Sequence, residues 1–280
     1  MALNFSVDLS LDYTVVTKIL VGFIADCFQK ANAQSAVIGL SGGLDSAVVA
    51  KLSAEALRLE RVLGVVMPYK TSAPESIADA LRFGEWLGIR TELVDISPLV
   101  DAYFSRQREA DANRRGNAMA RTRMIVLYDI SAREQGLVIG TSNKSELLLG
   151  YGTIFGDLAC AINPVGDLYK TQMRQLAEYL EIPEYIRKKT PTADLFQGQT
   201  DEGDLGFTYD EADRLLFLWV DQRVSEEELK EYGFAQEFIN AVFNRVRKNN
   251  FKRLPPLIAK FSGRTIGHEF RYPWEWSFVK

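Results

Sequence analysis

The amino-acid sequence predicts an open parallel α/β sheet with helices on both faces and a helical C-terminal extension, arranged as one domain over residues 1–280. Two observations predict it. In the first half, short apolar runs alternate with stretches of helical apolar spacing, the pattern of right-handed βαβ crossovers. From residue 171 the spacing is mostly helical, and no low-complexity linker or internal repeat marks a second domain.

Taken in order, residues 13–30 carry apolar side chains at i, i+3 and i+4, an amphipathic helix in which Cys27 reads as a buried structural thiol. The run 35–40 is a first strand; it ends in glycines, and helical spacing resumes at Asp45. Residues 62–67 form a second buried strand stopped by Pro68, and a helix over 74–87 begins with Pro74 in its first turn. A third strand spans 91–96, a helix spans 118–134, and a fourth strand spans 137–140. Stretches 171–180, 209–222, 225–231 and 235–249 carry the later helical periodicity. The polar segment 190–208 is either a plain surface loop or a flap over a site, which its length does not decide.

Composition narrows the class. With 47% hydrophobic and 25% charged residues the chain has ordinary globular proportions. A net charge of −4 offers no overall basic field for nucleic acid, and clusters such as 187–189 read as solvated helix faces. Two distant cysteines, Cys27 and Cys160, argue against a disulfide framework or a zinc knuckle. The N-terminus lacks the basic and apolar regions of a secretory signal, and no apolar run approaches a membrane span, so a cytoplasmic protein without membrane contact is expected.

The string Ser41-Gly42-Gly43-Leu44-Asp45-Ser46 lies between the first strand and its helix. Glycines let backbone N–H groups approach an oxyanion, and a helix N-terminus adds its positive dipole end. Asp45 in an anion cradle would repel phosphate unless a cation intervened, which suggests Mg²⁺. A capped strand-to-helix turn would explain a bare Gly-Gly. The full string instead resembles the signature of the PP-loop ATP pyrophosphatases, which implies AMP-forming activation of a carbonyl or carboxylate oxygen.

Four later segments narrow the resemblance. Gly140-Thr141-Ser142-Asn143-Lys144-Ser145-Glu146 follows the fourth strand, with Glu146 expected about a turn and a half into the next helix. Then come 150–157, 163–171 and 189–195, with Asp201-Glu202, Leu205-Gly206 and Tyr209-Asp210 completing the series. In this order, from about residue 17 onward, they resemble the NAD synthetases of the ammonia-using type.

That resemblance implies an adenine nucleotide alpha hydrolase-like, Rossmann-like fold and ATP-dependent amidation of deamido-NAD, the last step of NAD biosynthesis. By matching position it implies that Gly39, Leu40, Ser41, Gly42, Gly43, Leu44, Asp45 and Ser46 bind ATP together with Thr141, Lys170 and Thr192. It implies Mg²⁺ on Asp45 and Glu146, and deamido-NAD contacts from Arg121, Asp157, Phe251 and Lys252. Asp45, Asp157 and Lys170 would serve the chemistry, Asp157 orienting or deprotonating ammonia. Ile154, Ala161 and Phe251 stand where bacterial members usually carry lysine, aspartate and histidine, so the dinucleotide pocket is expected to be rebuilt.

The implied reaction joins the nicotinate carboxylate to the α-phosphorus, releases pyrophosphate, and lets ammonia displace AMP. The length leaves no room for an amidohydrolase domain, so the nitrogen is expected as free ammonia or from a separate glutaminase. The sole histidine, His268, reads as structural rather than as a general base. A homodimer is implied, with the N-terminal helix and the helix over 118–134 as interface elements or intrachain core. Other PP-loop ligases, a tRNA-modifying PP-loop protein and a nucleotide-binding module without chemistry are the rivals. The segments after Thr141, the absent basic surface, and Asp45, Glu146, Lys170 and Thr192 together count against them in turn.

Overall fold

The computed structural model describes residues 7–105, 111–192 and 200–266. Four strands, β1 (Ala36–Gly39), β2 (Val62–Val66), β3 (Arg90–Leu93) and β4 (Leu137–Val138), form one parallel sheet in the order β3-β2-β1-β4. Val37 of β1 stands opposite Leu63 and Val138. Because side chains alternate along a strand, Ala36, Ile38, Val62 and Val66 face one core while Val37, Leu63 and Val65 face another.

Helices α1 (Tyr13–Ala31), α2 (Leu44–Leu57) and α3 (Pro74–Leu87) contribute to the first core, joined by α7 (Lys170–Tyr179) and α8 (Glu184–Arg187). Ile24, Phe28, Val48, Leu52, Phe83 and Met173 are buried in it. Helices α4 (Ser97–Phe104) and α5 (Ala112–Arg133) cover the other face through Val100, Met119 and Ile130. Asp12 caps α1 by accepting from the N–H groups of Thr14 and Val15.

The C-terminal region is a helical lobe of α9 (Asp201–Leu205), α10 (Tyr209–Leu216) with a π turn over Phe217–Asp221, α11 (Glu226–Glu231) and α12 (Gln236–Lys248). Its apolar core holds Tyr209, Leu215, Ile239 and Val242 and encloses Leu149, from α6 (Lys144–Leu149), and Tyr169 just before α7. The lobe is thereby fastened to the segments that follow β4.

Four elements differ from the sequence expectation, among them β4, which ends at Val138 rather than 140 because Ile139 pairs only through an isolated bridge to Ile162. Helix α5 begins at Ala112 rather than 118, because Asp111 caps a polar first turn that carries no apolar stripe. Strand β3 stops at Leu93, after which Val94 and Ile96 donate to Val66 and Pro68 carbonyls and lead into α4, a helix with proline in its first turn. Within 190–208, Asp201–Leu205 is helical with Thr200 as its cap; residues 193–199 lie outside the described residues, as does His268. No helix among the described residues is long and apolar enough to cross a membrane.

Candidate active site

Strand β1 lies between β2 and β4: the chain leaves β1 toward β2 and β3 on one side and crosses from β3 to β4 on the other. Such a switch point opens a crevice where ligands of parallel sheets bind. The glycine loop is built there. Ser46 Oγ donates to the Gly43 carbonyl at 3.0 Å, and Ser41 Oγ accepts from Gly43 N at 3.2 Å. Gly42 has φ +73°, and a Cβ on it would come within 2.4 Å of the Ser76 carbonyl oxygen on α3. Only glycine lets this left-handed turn press against α3.

Asp45 lies in the first turn of α2 and Glu146 is the third residue of α6, with Lys170 opening α7. Glu146 thus sits in the first turn rather than a turn and a half in. Asn143 is the reason: it accepts from Glu146 N at 3.0 Å while Glu146 Oε2 accepts from Asn143 N at 3.3 Å, a reciprocal capping box. Asn143 Nδ2 also donates to Asp45 Oδ1 at 3.2 Å.

Between the two carboxylates lies the Lys170 ammonium, with Nζ 2.5 Å from Asp45 Oδ2 and 3.2 Å from Glu146 Oε1. Burial alone would depress this lysine, but Asp45 and Glu146 hold it well above its ordinary value. Burial pushes Glu146 up to about 8 against the pull of Lys170, assisted by Asp45 and Asp201. Two hard oxygen donors that converge on one cation suit Mg²⁺. No group of three or more His, Cys, Asp or Glu able to hold a metal exists among the described residues. A divalent ion here would complete its shell with water and phosphate oxygens, as Mg²⁺ commonly does.

A buried carboxylate supports this constellation from behind. Ser145 Oγ donates to Asp213 Oδ1 at 2.5 Å and accepts from Lys170 N at 2.8 Å, and Thr171 N donates to Asp213 Oδ2 at 2.8 Å. Asp213, fully buried on α10, therefore fixes the N-termini of both α6 and α7. Burial pushes its carboxyl up to about 6.

At the far end, Asp157 Oδ1 accepts from Thr153 N at 2.6 Å, and Thr153 Oγ1 donates to Asn117 on α5. Asp157 opens onto the cavity while protein surrounds it. Burial raises its carboxyl, whereas backbone N–H groups, Arg123 and Lys252 pull it down. Lys252 Nζ donates to the Gly150 and Gly152 carbonyls at 2.7 Å each, anchoring the strand of chain that carries Asp157.

One cavity of about 290 Å³ gathers the glycine loop, Asp45, Glu146, Lys170 and Asp157. Of the residues singled out from sequence, Gly39, Leu40, Ser41, Gly43, Leu44, Asp45, Ser46, Thr141, Glu146, Asp157, Lys170 and Thr192 line it. Gly42 stays behind the loop, against α3. Arg121, Phe251 and Lys252 do not line it: Arg121 Nε reaches the Ile154 carbonyl at 3.4 Å, and Phe251 is exposed. Arg123 lines the cavity instead, its Nε donating to the Met67 carbonyl at 3.1 Å. Two positions apart on a helix, the arginines face away from each other, a signal available in the sequence. The sequence pattern points to no role for Lys189, Asp201 or Asp213; Lys189 and Asp201 line the cavity, with Lys189 Nζ 2.8 Å from Asp79. Both cysteine thiols are raised by burial, the reverse of what a thiolate nucleophile needs.

The family described as NAD synthase matches residues 16–256. The chain is 53% identical over 275 residues to the NH(3)-dependent NAD(+) synthetase of Chlorobium phaeobacteroides (strain DSM 266), covering 98% of this chain and 99% of that one. Among solved structures, NH3-dependent NAD synthetase from Campylobacter jejuni is 38% identical with a TM-score of 0.78, covering 89% of this chain and all of that one. NMN synthetase from Francisella tularensis is 33% identical with a TM-score of 0.81, covering 90% of this chain.

Proposed function

The chain belongs to the NAD synthase family, and from that premise we propose that it amidates deamido-NAD to NAD with ATP and ammonia, using the cavity at the carboxyl end of β1. The observation that carries the site assignment is the convergence of the glycine loop, Asp45, Glu146 and Lys170 on one space. ATP lies with its phosphates against the loop and the N-terminus of α2, where backbone N–H groups and the dipole favour anions.

A carboxylate is a poor acyl donor because its leaving group would be oxide. Attack of the nicotinate carboxylate oxygen on the α-phosphorus breaks the bond to the bridging oxygen, releases pyrophosphate and makes AMP the leaving group. Asp45 and Glu146 hold Mg²⁺, which when bound supplies charge neutralisation at the phosphates. Lys170 neutralises charge from the same side, and Ser41 offers its hydroxyl to the phosphate oxygens while Ser46 holds the loop through the Gly43 carbonyl. Ammonia then attacks the acyl carbon and AMP departs. Asp157, oriented by Thr153 N, accepts the proton that the attacking nitrogen sheds.

The protein works in the cytoplasm as a homodimer. Helix α1 leaves Val15, Ile19 and Phe23 exposed along one stripe, and α5 leaves Ile125 and Tyr128 exposed. Apolar rows of this kind are the usual core of an interface between subunits. Free ammonia is the nitrogen donor.

The test is NAD formation from deamido-NAD, ATP and Mg²⁺, with ammonium or glutamine as donor and nicotinate mononucleotide as the alternative acceptor. NAD made with ammonium, and lost in Asp45→Ala, is the expected result. Amidation of the mononucleotide alone would reassign the acceptor and make NMN, the product in the Francisella relative's name, the product here. Sedimentation velocity checks the dimer, which Ile19→Glu should dissociate.

A further inference from the structure

Asp201 takes no part in the chemistry above, yet its setting is unusual for a residue that opens a short helix. It is 5% exposed and lines the cavity with Asp45, Glu146 and Lys170. Its Oδ2 accepts a long bond from Tyr209 Oη at 3.4 Å, the Tyr151 hydroxyl lies beside the same carboxyl, and Oδ1 has no hydrogen-bond partner of ordinary geometry among the described residues. A buried carboxyl with an open oxygen is unfavourable unless a donor or cation visits it. ATP in the same cavity would add to the cost, since a triphosphate repels an unneutralised carboxylate.

Lys170 is the cation within range. An ammonium has three N–H donors, of which Asp45 and Glu146 engage two. Nζ lies 5.5 Å from the centroid of the Tyr209 ring, the residue whose hydroxyl reaches Asp201. The position Lys170 occupies is also the one assigned above to Mg²⁺. Like charges cannot share two carboxylates at contact distance, so filling that position with a divalent ion requires somewhere for the ammonium to go.

We propose that Asp201 is the second seat of the Lys170 ammonium: the lysine closes the position between Asp45 and Glu146 in the ligand-free enzyme and turns toward Asp201 when a divalent cation enters. This rests on Asp45 and Glu146 being the metal ligands. Lys170 then guards an otherwise acidic site against bare cations and keeps its charge inside the cavity after yielding its place. Asp201 is a positioning residue, acting through Lys170.

The experiment titrates Mn²⁺ into the full-length protein without ATP and reads the unbound ion by electron paramagnetic resonance. Lys170→Gln removes the competing ammonium and should tighten Mn²⁺ binding by about tenfold; Asp201→Asn should weaken it by about tenfold, the size of a typical site-to-site coupling. In the Lys170→Gln background, Asp201→Asn should have no effect. An undiminished effect there would make Asp201 a direct ligand and overturn the proposal, as would wild-type binding by Asp201→Asn in the Lys170 background. Asp201→Ser serves if the asparagine variant fails to fold. Asp45→Asn separates the two readings. If it binds Mn²⁺ like the wild type, the metal assignment itself falls; if it loses binding while Asp201→Asn is silent, only the proposal falls.

Discussion

Replacing Asp213 with asparagine should change how stability depends on pH while weakening catalysis. The carboxyl is fully buried, and burial pushes it up to about 6 from an ordinary value of 3.8. Its folded pKa is raised, so the folded state binds the proton more tightly than the unfolded chain. The charged form therefore costs stability, and the cost grows as pH rises from about 4 through 6. A shift of roughly two units corresponds to about 3 kcal/mol in full, of which about 1.3 kcal/mol develops between pH 5 and 7. Asparagine removes that cost but keeps one acceptor oxygen for the Ser145 hydroxyl and Thr171 N–H, losing about 1–2 kcal/mol of hydrogen bonding. Urea denaturation of both proteins at pH 5 and pH 7 isolates the difference. The variant should gain about 1.3 kcal/mol relative to the wild type over that interval. A constant difference would refute the assignment of the charge to Asp213. Catalysis should fall independently, because the N-termini bearing Glu146 and Lys170 lose their common anchor. We expect kcat to drop about tenfold with KM for ATP changed less, as for loss of an interaction made in the transition state.

Gly42→Ala forces a side chain into a left-handed turn against the Ser76 carbonyl, and should cost about 1–2 kcal/mol by thermal denaturation and weaken ATP binding in calorimetry. Lys252→Met removes both donors that hold the Gly150 and Gly152 carbonyls, so KM for deamido-NAD should rise about tenfold while KM for ATP holds; equal changes in both would contradict the placement. Arg123→Met should weaken the ATP-side reaction, whereas Arg121→Met should affect only the dinucleotide, a contrast that steady-state kinetics with each substrate varied will read.

The sheet was legible because buried parallel strands are continuous apolar runs: 35–40 and 62–67 each contain the observed β1 and β2. β3 was overrun because Val94 and Ile96 stay apolar while the chain turns toward α4. The position of the glycine loop was readable, since few turns combine two glycines, two serines and an aspartate at a strand end, and the structure lines a cavity with it. What the sequence did not reveal is partnership across distance. Nothing near Asp213 announces that it binds Ser145, 68 positions away. Lys252 matched a substrate-binding lysine by position, yet its ammonium is engaged by two backbone carbonyls, a bond that leaves no pattern in the sequence. Arg121 is the arginine the resemblance points to, yet Arg123, two positions on and on another face of α5, is the one that lines the cavity.

The Asp213 tether also sets an order of events during synthesis. The glycine loop, Asp45 and Glu146 emerge early, but Lys170 is locked only after α10 has been made and has packed its carboxylate against Ser145 and Thr171. A nascent chain halted before α10 would hold a nucleotide cradle without its fixed lysine. Such a fragment would bind a nucleotide loosely and would not cleave it, so competence to spend ATP arrives late, with the helical lobe that certifies the chain has folded.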